Sequence, residues 1–194
     1  MSRLGSWRNR PGCVYEPAED SALLLDAVVD RIDATDVVLD VGTGSGVIAR
    51  ELILRRGATV YGVDVNPHAC RRALADGVPV VRGDLVSAFQ QRAFDVVVCN
   101  PPYLPTDPGD GADDWLELAL CGGPSGRLVT NRLLDDVGRV VRDNGHVFLL
   151  VSSLQDVDAI IDRARANGFA ARTVSRDDSF PFEVLSVIQL DRTD

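Results

Sequence analysis

Short apolar runs of strand length alternate with longer amphipathic stretches through most of this chain. Continuous apolar runs predict strands at residues 37–41, 59–63, 78–82, 94–99 and 147–151. The stretches between and after them predict helices at residues 46–56, 67–74, 86–90, 126–141 and 155–166. Repeated β–α units of this kind predict a parallel sheet that carries helices on both faces.

The two ends of the chain depart from this alternation. Residues 170–174 and 184–190 both read as strands with no helix between them, so they predict a hairpin that adds an antiparallel strand. Before the first strand, residues 18–31 predict an extra helix. The expected fold is a Rossmann-like α/β sheet of seven strands, mostly parallel, with a C-terminal antiparallel hairpin.

The sequence shows no internal repeat, low-complexity tract or second domain boundary. We therefore expect a single domain over residues 1–194. Residues 1–13 would form a flexible N-terminal extension, and the Asp-, Gly- and Pro-rich residues 106–114 would form a mobile loop.

An unusual tetrapeptide, Asn100-Pro101-Pro102-Tyr103, directly follows the fourth predicted strand. The two prolines have fixed φ angles and favour extended geometry in the residue before them. The Asn100 side chain offers an acceptor oxygen, and the backbone carbonyl of Pro101 offers a second. Two rigid acceptors of this kind are suited to hold the –NH2 group of a planar amide or of an exocyclic amine.

Acidic side chains end three successive predicted strands. Asp40 precedes the turn Gly42-Thr43-Gly44-Ser45-Gly46, whose glycines let a ligand approach the backbone closely. Asp64 is placed to accept from ribose hydroxyls, and Asp84 from an adenine amino group beside the backbone N–H of Leu85. Each acid alone could be a helix cap or a solvated loop residue. Together, at the edge where open α/β sheets bind ligands, they indicate a nucleoside that carries an amine, S-adenosylmethionine.

The charge balance is acidic and uses few residue types. The net charge is −9, all 20 basic residues are arginine, and most of the 29 acids are aspartate. This composition fits either a GC-rich genome or a cytoplasm of high salt, and we favour the second. A chain without a basic face is not expected to bind nucleic acid stably.

The cysteines and the N-terminus bear on the compartment. The four cysteines have no C-x-x-C spacing, which indicates a reducing compartment and no metal site in this chain. The first ten residues lack the apolar core of a signal peptide, and no apolar stretch reaches the length of a membrane span. We therefore expect a cytoplasmic protein that does not associate with a membrane.

Four segments carry a resemblance to a known family. They are residues 14–21, 39–46, 100–103 and 122–127, which read VYEPAEDS, LDVGTGSG, NPPY and GGPSGR. With them the chain resembles the class I S-adenosylmethionine-dependent methyltransferases, and among these the HemK-like enzymes that methylate a glutamine side chain of translation release factors. The likeness is greatest to the archaeal and eukaryotic branch, because bacterial HemK-type enzymes carry an additional N-terminal helical domain.

The resemblance implies a cofactor pocket and a grip on the acceptor. The implied pocket residues are Ser21, Asp40, Gly42, Asp64, Asp84, Leu85 and Asn100. Asn100 and Pro101 would act as catalytic residues that hold the acceptor amide, and Tyr103 would wall the pocket beside them. The implied acceptor is the glutamine of the Gly-Gly-Gln motif of a release factor.

The resemblance also implies a second partner. Archaeal and eukaryotic members form a heterodimer with a small zinc-binding activator protein, which adds a strand beside the third strand of the sheet. Val78, Val80 and Val81 lie on that predicted edge strand, although they could equally be core residues. Any zinc would belong to the partner.

Other functions share parts of this pattern. An adenine-N6 methyltransferase that acts on DNA or RNA needs the same grip on an exocyclic amine, and a protein-lysine methyltransferase is a further alternative. A nicotinamide-dependent dehydrogenase is disfavoured by Val47 at the third glycine position of the dinucleotide fingerprint. It is also disfavoured because His68 and His146 both read as structural. A non-enzymatic binding module is least favoured, since the catalytic motif is intact.

Overall fold

A computed structural model of the protein describes residues 14–106 and 115–193. The expected N-terminal extension lies outside the described residues, and so do residues 107–114 of the expected mobile loop. The strands are β1 (Val37–Val41), β2 (Thr59–Asp64), β3 (Val80–Arg82), β4 (Phe94–Cys99), β5 (Val141–Ser152), β6 (Phe169–Asp177) and β7 (Leu185–Arg192). The helices are α1 (Glu19–Val28), α2 (Val47–Arg56), α3 (Pro67–Ala75), α4 (Trp115–Leu120), α5 (Leu128–Val140) and α6 (Val157–Ala166). Short 3-10 turns cover Val29–Arg31 and Ser153–Gln155.

All seven strands form one sheet in the order β3-β2-β1-β4-β5-β7-β6. The pairs β1–β2, β2–β3, β1–β4 and β4–β5 are parallel. β7 runs antiparallel to both β5 and β6. The predicted sheet, mostly parallel with an antiparallel C-terminal hairpin, is therefore confirmed.

Two hydrophobic clusters cover the two faces of this sheet. Successive residues of β1 point to opposite sides, so Leu39 joins the cluster with α5 and α6, whereas Val38 joins the cluster with α1, α2 and α3. Both residues are fully buried. The predicted helices on both faces are confirmed.

The strand order places a crevice at the centre of the sheet. From β1 the chain moves outward through β2 to β3, and then returns to the other side of β1 with β4. The connection that follows β1 therefore leads toward β2, whereas the connection that follows β4 leads the other way, toward β5. A crevice opens between them at the carboxyl ends of β1 and β4. The strand-end acids and the Asn-Pro-Pro-Tyr motif both lie at this edge.

The predicted helix over residues 86–90 is wrong, because this segment forms turns. The backbone carbonyls of Val86 and Phe89 accept hydrogen bonds from the Arg139 guanidinium at 2.9 and 2.6 Å. The local backbone bond, from the N–H of Phe89 to the carbonyl of Val86, spans three residues rather than four. A side chain about 50 residues away in the sequence thus takes the acceptors that a helix would have used.

The strand predicted at residues 147–151 is only half of β5, which begins at Val141 directly after α5. The sequence Asp143-Asn144-Gly145 has the composition of a turn, yet it lies inside the strand. The pairing with β4 is irregular here, since the register shifts between Phe94 and its neighbours. This irregular pairing accommodates the extra residues of β5, and apolar periodicity does not reveal it.

β3 forms an edge of the sheet, as predicted, but it is shorter than expected. Val78 precedes the strand, is fully buried, and donates its backbone N–H to the carbonyl of Ala73. Val80 is half-buried, whereas Val81 is 38% exposed on the open edge. Val78 is thus a core residue, and Val81 belongs to the surface of the edge strand.

Within the described ranges, no helix has both the length and the apolar character needed to cross a bilayer. The same residues contain no group of His, Cys, Asp or Glu side chains arranged to hold a metal ion.

Candidate active site

A cavity of about 350 Å³ opens at the carboxyl edge of the sheet. Its volume falls within the range of small-molecule sites, roughly 300–1,000 Å³. All nine predicted site residues line it: Ser21, Asp40, Gly42, Asp64, Asp84, Leu85, Asn100, Pro101 and Tyr103. The structure brings these residues together from five separate parts of the sequence, and their individual roles stay predictions.

The glycine-rich turn after β1 is held against β2. The backbone N–H groups of Gly42 and Thr43 both donate to the carbonyl of Val63, at 2.8 and 3.0 Å. Gly42 has a φ of +71° and open space where a Cβ would project. A Cβ on Gly46 would lie 2.9 Å from the Cβ of Ala73, so this glycine serves close packing of α3. The turn leaves bare backbone beside the cavity.

Asp40 is a buried acid at the end of β1, with 2% of its surface exposed. Its Oδ2 accepts a hydrogen bond from the Thr43 hydroxyl at 2.7 Å. Burial raises the pKa of Asp40 to about 6, and the nearby charge of Asp64 acts in the same direction. A cationic ligand group would favour the ionised carboxylate, so the site is electrostatically prepared for an amine.

Binding of S-adenosylmethionine should therefore weaken in acid. Below a pKa of about 6, Asp40 is protonated and would lose the charge that we predict to attract the ligand amine. The Kd should rise about tenfold per pH unit there and level off above pH 7. Titration calorimetry between pH 5 and pH 7.5 measures this, and Asp40→Asn should bind weakly with a flat profile. A wild-type Kd that is independent of pH would contradict the expectation.

The same shift makes folding depend on pH in the opposite sense. The pKa of Asp40 is about 6 in the folded protein and 3.8 as the reference value, so the native state binds the proton more tightly. The free energy of unfolding should fall as the pH rises from about 4 to about 6, by about 3 kcal/mol at most. Asp40→Asn should accordingly raise the melting temperature of the ligand-free protein at pH 7.

Asp64, at the end of β2, is oriented by the backbone on both sides. Its Oδ2 accepts the N–H of Gly44 at 2.9 Å, and its Oδ1 accepts the N–H of Asn66 at 2.8 Å. Burial raises the pKa of Asp64 above its ordinary value, although these hydrogen bonds act against the shift. Each carboxylate oxygen keeps a second lone pair, so Asp64 can still accept from a ligand diol.

Asp84 and Leu85 line the cavity directly after β3. Asp84 pairs with Arg132 of α5, with an Nη2–Oδ2 distance of 2.6 Å, and both side chains are about half exposed at 54% and 53%. Leu85 has a φ of +50°, which is uncommon for a residue with a side chain. Arg132 also lines the cavity. Sequence reasoning missed it because its partner lies 48 residues away.

Asn100 is oriented by a residue that the sequence did not single out. Its Nδ2 donates to Oδ2 of Asp20 in the first turn of α1, at 3.0 Å. Because a carboxylate only accepts hydrogen bonds, the amide must turn its nitrogen toward Asp20 and present Oδ1 as an acceptor. Asp20 also accepts from the Tyr15 hydroxyl at 3.2 Å and is 5% exposed. Tyr15 and Asp20 both belong to the segment VYEPAEDS, and the resemblance carried by that segment was the sequence signal that could have found them.

The backbone after Asn100 is held by a glycine-rich segment, residues 122–126. The N–H of Gly122 donates to the carbonyl of Leu104 at 2.8 Å. A Cβ on Gly122 would lie 2.7 Å from the carbonyl oxygen of Pro102, and one on Gly126 would overlap the carbonyl oxygen of Tyr103. The fully buried Gln155 donates from Nε2 to the carbonyl of Gly126 at 2.7 Å. The segment GGPSGR thus packs against the backbone of the tetrapeptide and of Leu104 and supports it.

Two tyrosines at the cavity stay neutral. Burial raises the pKa of Tyr103 above its ordinary value, and the charges of Asp20 and Glu183 raise it further. Burial and Asp20 likewise raise the pKa of Tyr15. Neither phenol is therefore suited to act as a base near neutral pH.

Helix α4 was also missed by the sequence patterns. Four of its residues, Trp115, Leu118, Ala119 and Leu120, line the cavity. Only six residues long and without a buried side chain, it lacks the amphipathic period that marks a helix in sequence. It places an apolar wall close to Tyr103.

Comparison with known proteins gives consistent similarities in sequence. A family model described as the methyltransferase small domain matches residues 15–108. A Methanocaldococcus jannaschii protein named as an N5-glutamine methyltransferase is 35% identical over 181 residues, covering 90% of each chain. A release factor glutamine methyltransferase of Moorella thermoacetica is 36% identical over 171 residues. That match covers 80% of this chain and 60% of the Moorella protein.

The structure is similar to a chain of the E. cuniculi Mtq2–Trm112 complex, which is described as responsible for methylation of the translation termination factor eRF1. The TM-score is 0.78 and the sequence identity 32%, over 93% of this chain and 99% of that chain. The structural similarity therefore extends over nearly the whole chain.

Proposed function

We propose, because this chain belongs to the S-adenosylmethionine-dependent protein glutamine methyltransferases, that its acceptor is the glutamine of the Gly-Gly-Gln motif of a translation release factor. The observation that carries this proposal is the Asn100 amide, which lines the cavity directly before Pro101 and offers its side-chain oxygen as an acceptor. Beside the Pro101 carbonyl, it forms a pair of acceptors that matches the two N–H groups of a primary amide.

The residues around the cavity fit S-adenosylmethionine. The buried Asp40 suits its amine, Asp64 suits the ribose hydroxyls, and Asp84 with the Leu85 backbone suits the adenine edge. Gly42 leaves open space where a side chain would obstruct the ligand. When bound, S-adenosylmethionine supplies an electrophilic methyl group on a positively charged sulfur.

The chain's own contribution is to hold the acceptor amide. Asn100 Oδ1 and the Pro101 carbonyl accept its two N–H groups, and Tyr103 with the apolar α4 excludes water beside it. The amide nitrogen forms a bond to the methyl carbon as the carbon–sulfur bond breaks, leaving S-adenosylhomocysteine. The nitrogen then releases one proton to solvent water. Orientation of this kind is worth up to roughly 7–11 kcal/mol, which suits a nucleophile as weak as an amide.

Mass spectrometry of an in vitro reaction tests the proposal. Purified protein, S-adenosylmethionine and a release factor should yield one added methyl group on the glutamine of the Gly-Gly-Gln peptide. A release factor with that glutamine replaced by alanine is the control and should remain unmodified. Double-stranded DNA and a lysine-containing histone peptide should also remain unmodified. Methylation of either one, with an unmodified release factor, would contradict the proposal.

The proposed protein partner is a small zinc-binding activator that pairs with β3. Support comes from the apolar side chains exposed around this edge: Tyr61 at 38%, Val65 at 42%, Leu74 at 63% and Val81 at 38%. The open edge also offers unpaired backbone groups of β3 to a further strand. The similar E. cuniculi structure is itself a complex with Trm112.

Charge placed on the β3 edge should abolish the proposed complex. Val81→Arg puts a cation in the interface, and co-purification of the co-expressed activator should fall at least about tenfold. Leu54→Arg on α2 is the matched control, since Leu54 is also apolar and exposed, at 67%. Equal recovery of the activator with both variants would contradict this interface.

A further inference from the structure

We propose that Asp20 is the positioning residue that fixes which way the Asn100 amide faces. This inference rests on the proposed function, because the orientation matters only if Asn100 must accept from the acceptor amide. Asp20 does not touch the reacting atoms in the proposed arrangement. It acts through Asn100, which lies 80 residues away in the sequence.

The Asp20 carboxylate is saturated with donors. Its Oδ1 accepts the backbone N–H of Ser21 at 2.6 Å and the Ser21 hydroxyl at 3.2 Å. Its Oδ2 accepts the Tyr15 hydroxyl at 3.2 Å and Nδ2 of Asn100 at 3.0 Å. The group is 5% exposed, so water does not substitute for these partners. Its place in the first turn of α1 also favours a negative charge.

These contacts leave the Asn100 amide one favourable orientation. Turned by half a rotation, the amide would set its oxygen against a carboxylate oxygen about 3 Å away, with no proton between them. It would also turn its own NH2 group toward the NH2 group of the glutamine substrate, donor against donor. An uncharged amide at position 20 carries a donor as well as an acceptor, so it can favour the opposite orientation of Asn100.

Asp20→Asn tests which way the Asn100 amide faces, and it hardly changes the shape of the side chain at position 20. The introduced amide keeps its oxygen toward the Ser21 N–H and therefore turns its nitrogen toward Asn100. Asn100 then presents its oxygen to position 20 and its nitrogen to the acceptor. We expect kcat for glutamine methylation to fall about 10²–10³-fold, in the range seen when one aligned polar contact is lost. The Kd for S-adenosylmethionine, measured by calorimetry, should change less than about threefold. Asp26→Asn, an exposed site on the same helix, is the matched control and should keep the wild-type kcat.

The double variant Asp20→Asn with Asn100→Asp should restore an oxygen acceptor at position 100 that faces the glutamine amide. The introduced carboxylate at position 100 accepts from the new amide at position 20, and its other oxygen accepts from the glutamine N–H. We expect its kcat to exceed that of Asp20→Asn by at least about tenfold. Asn100→Asp alone sets two carboxylates about 3 Å apart and should be the least active of the three.

A measurement without turnover follows the Asn100 amide protons directly. In the wild type, one side-chain N–H of Asn100 is held by a buried carboxylate and should exchange slowly with solvent by NMR. In Asp20→Asn both protons face the cavity and should exchange fast. A folded Asp20→Asn variant with wild-type kcat, or a double variant no better than Asp20→Asn, would overturn the inference while leaving the proposed function standing. A wild type that fails to methylate glutamine would overturn the proposed function, and the exchange rates would still decide the orientation.

Discussion

Replacing Asn100 with alanine should lower kcat for glutamine methylation about 10³-fold while leaving cofactor affinity within a few-fold. The variant loses the side-chain acceptor and keeps the Pro101 carbonyl, so the amide nitrogen is no longer aligned by two contacts. Asp40 and Asp64, which are proposed to hold the cofactor, come from other strands and keep their own hydrogen bonds. The change should therefore separate methyl transfer from cofactor binding.

Single-turnover methylation of the release factor, with calorimetry for S-adenosylmethionine, makes this measurement. Removing the Asn100 donor leaves Asp20 with Tyr15 and Ser21 as partners, so the free energy of unfolding should drop by only about 1 kcal/mol. Asn144→Ala, exposed near the amino end of β5, is a suitable control and should behave as wild type. Near-normal methylation by Asn100→Ala would show that the acceptor is held by other groups.

The sequence predicts those elements whose conformation follows from the apolar pattern of their own residues. β1 has the predicted bounds, since the length of its apolar run and its β-branched valines both favour a buried strand. The segment at residues 86–90 defeats the same reasoning, because Arg139 from α5 takes its carbonyls. The start of β5 also escapes prediction, because an irregular pairing with β4 lets turn-forming residues stay within the sheet.

The residues of the candidate site likewise include some that the sequence predicts and some that it does not. Asp40, Asp64 and Asp84 are predictable because parallel strands bring their carboxyl ends to one edge. Asp20 and Arg132 are not, because each acquires its role from a partner at long sequence separation, 80 residues for Asp20 and 48 for Arg132. The spacing of apolar residues along the sequence does not indicate such a long-range contact. A motif that resembles a family points to the segment that holds Asp20, but not to the residue or its partner.

Gly126→Ala should be among the most destabilising single substitutions outside the core. Gly126 is buried with a φ of +70°, and an added Cβ would overlap the carbonyl oxygen of Tyr103 and lie 3.3 Å from Cγ of Gln155. The left-handed backbone costs about 1–2 kcal/mol for a residue with a side chain. Displacement of the Tyr103 backbone adds about 1–3 kcal/mol. The free energy of unfolding should therefore fall by about 2–5 kcal/mol.

Gly77→Ala isolates the backbone part of this cost. Gly77 has a φ of +85° but nothing within 4 Å of the position that a Cβ would occupy. Urea unfolding should show a loss of about 1–2 kcal/mol for Gly77→Ala and roughly twice that for Gly126→Ala. Only Gly126→Ala should also reduce kcat, because the carbonyl it displaces belongs to the tetrapeptide that holds the acceptor. Equal losses of stability in the two variants would mean that Gly126 is required for its φ alone, and that the segment GGPSGR does not support Tyr103 through contact.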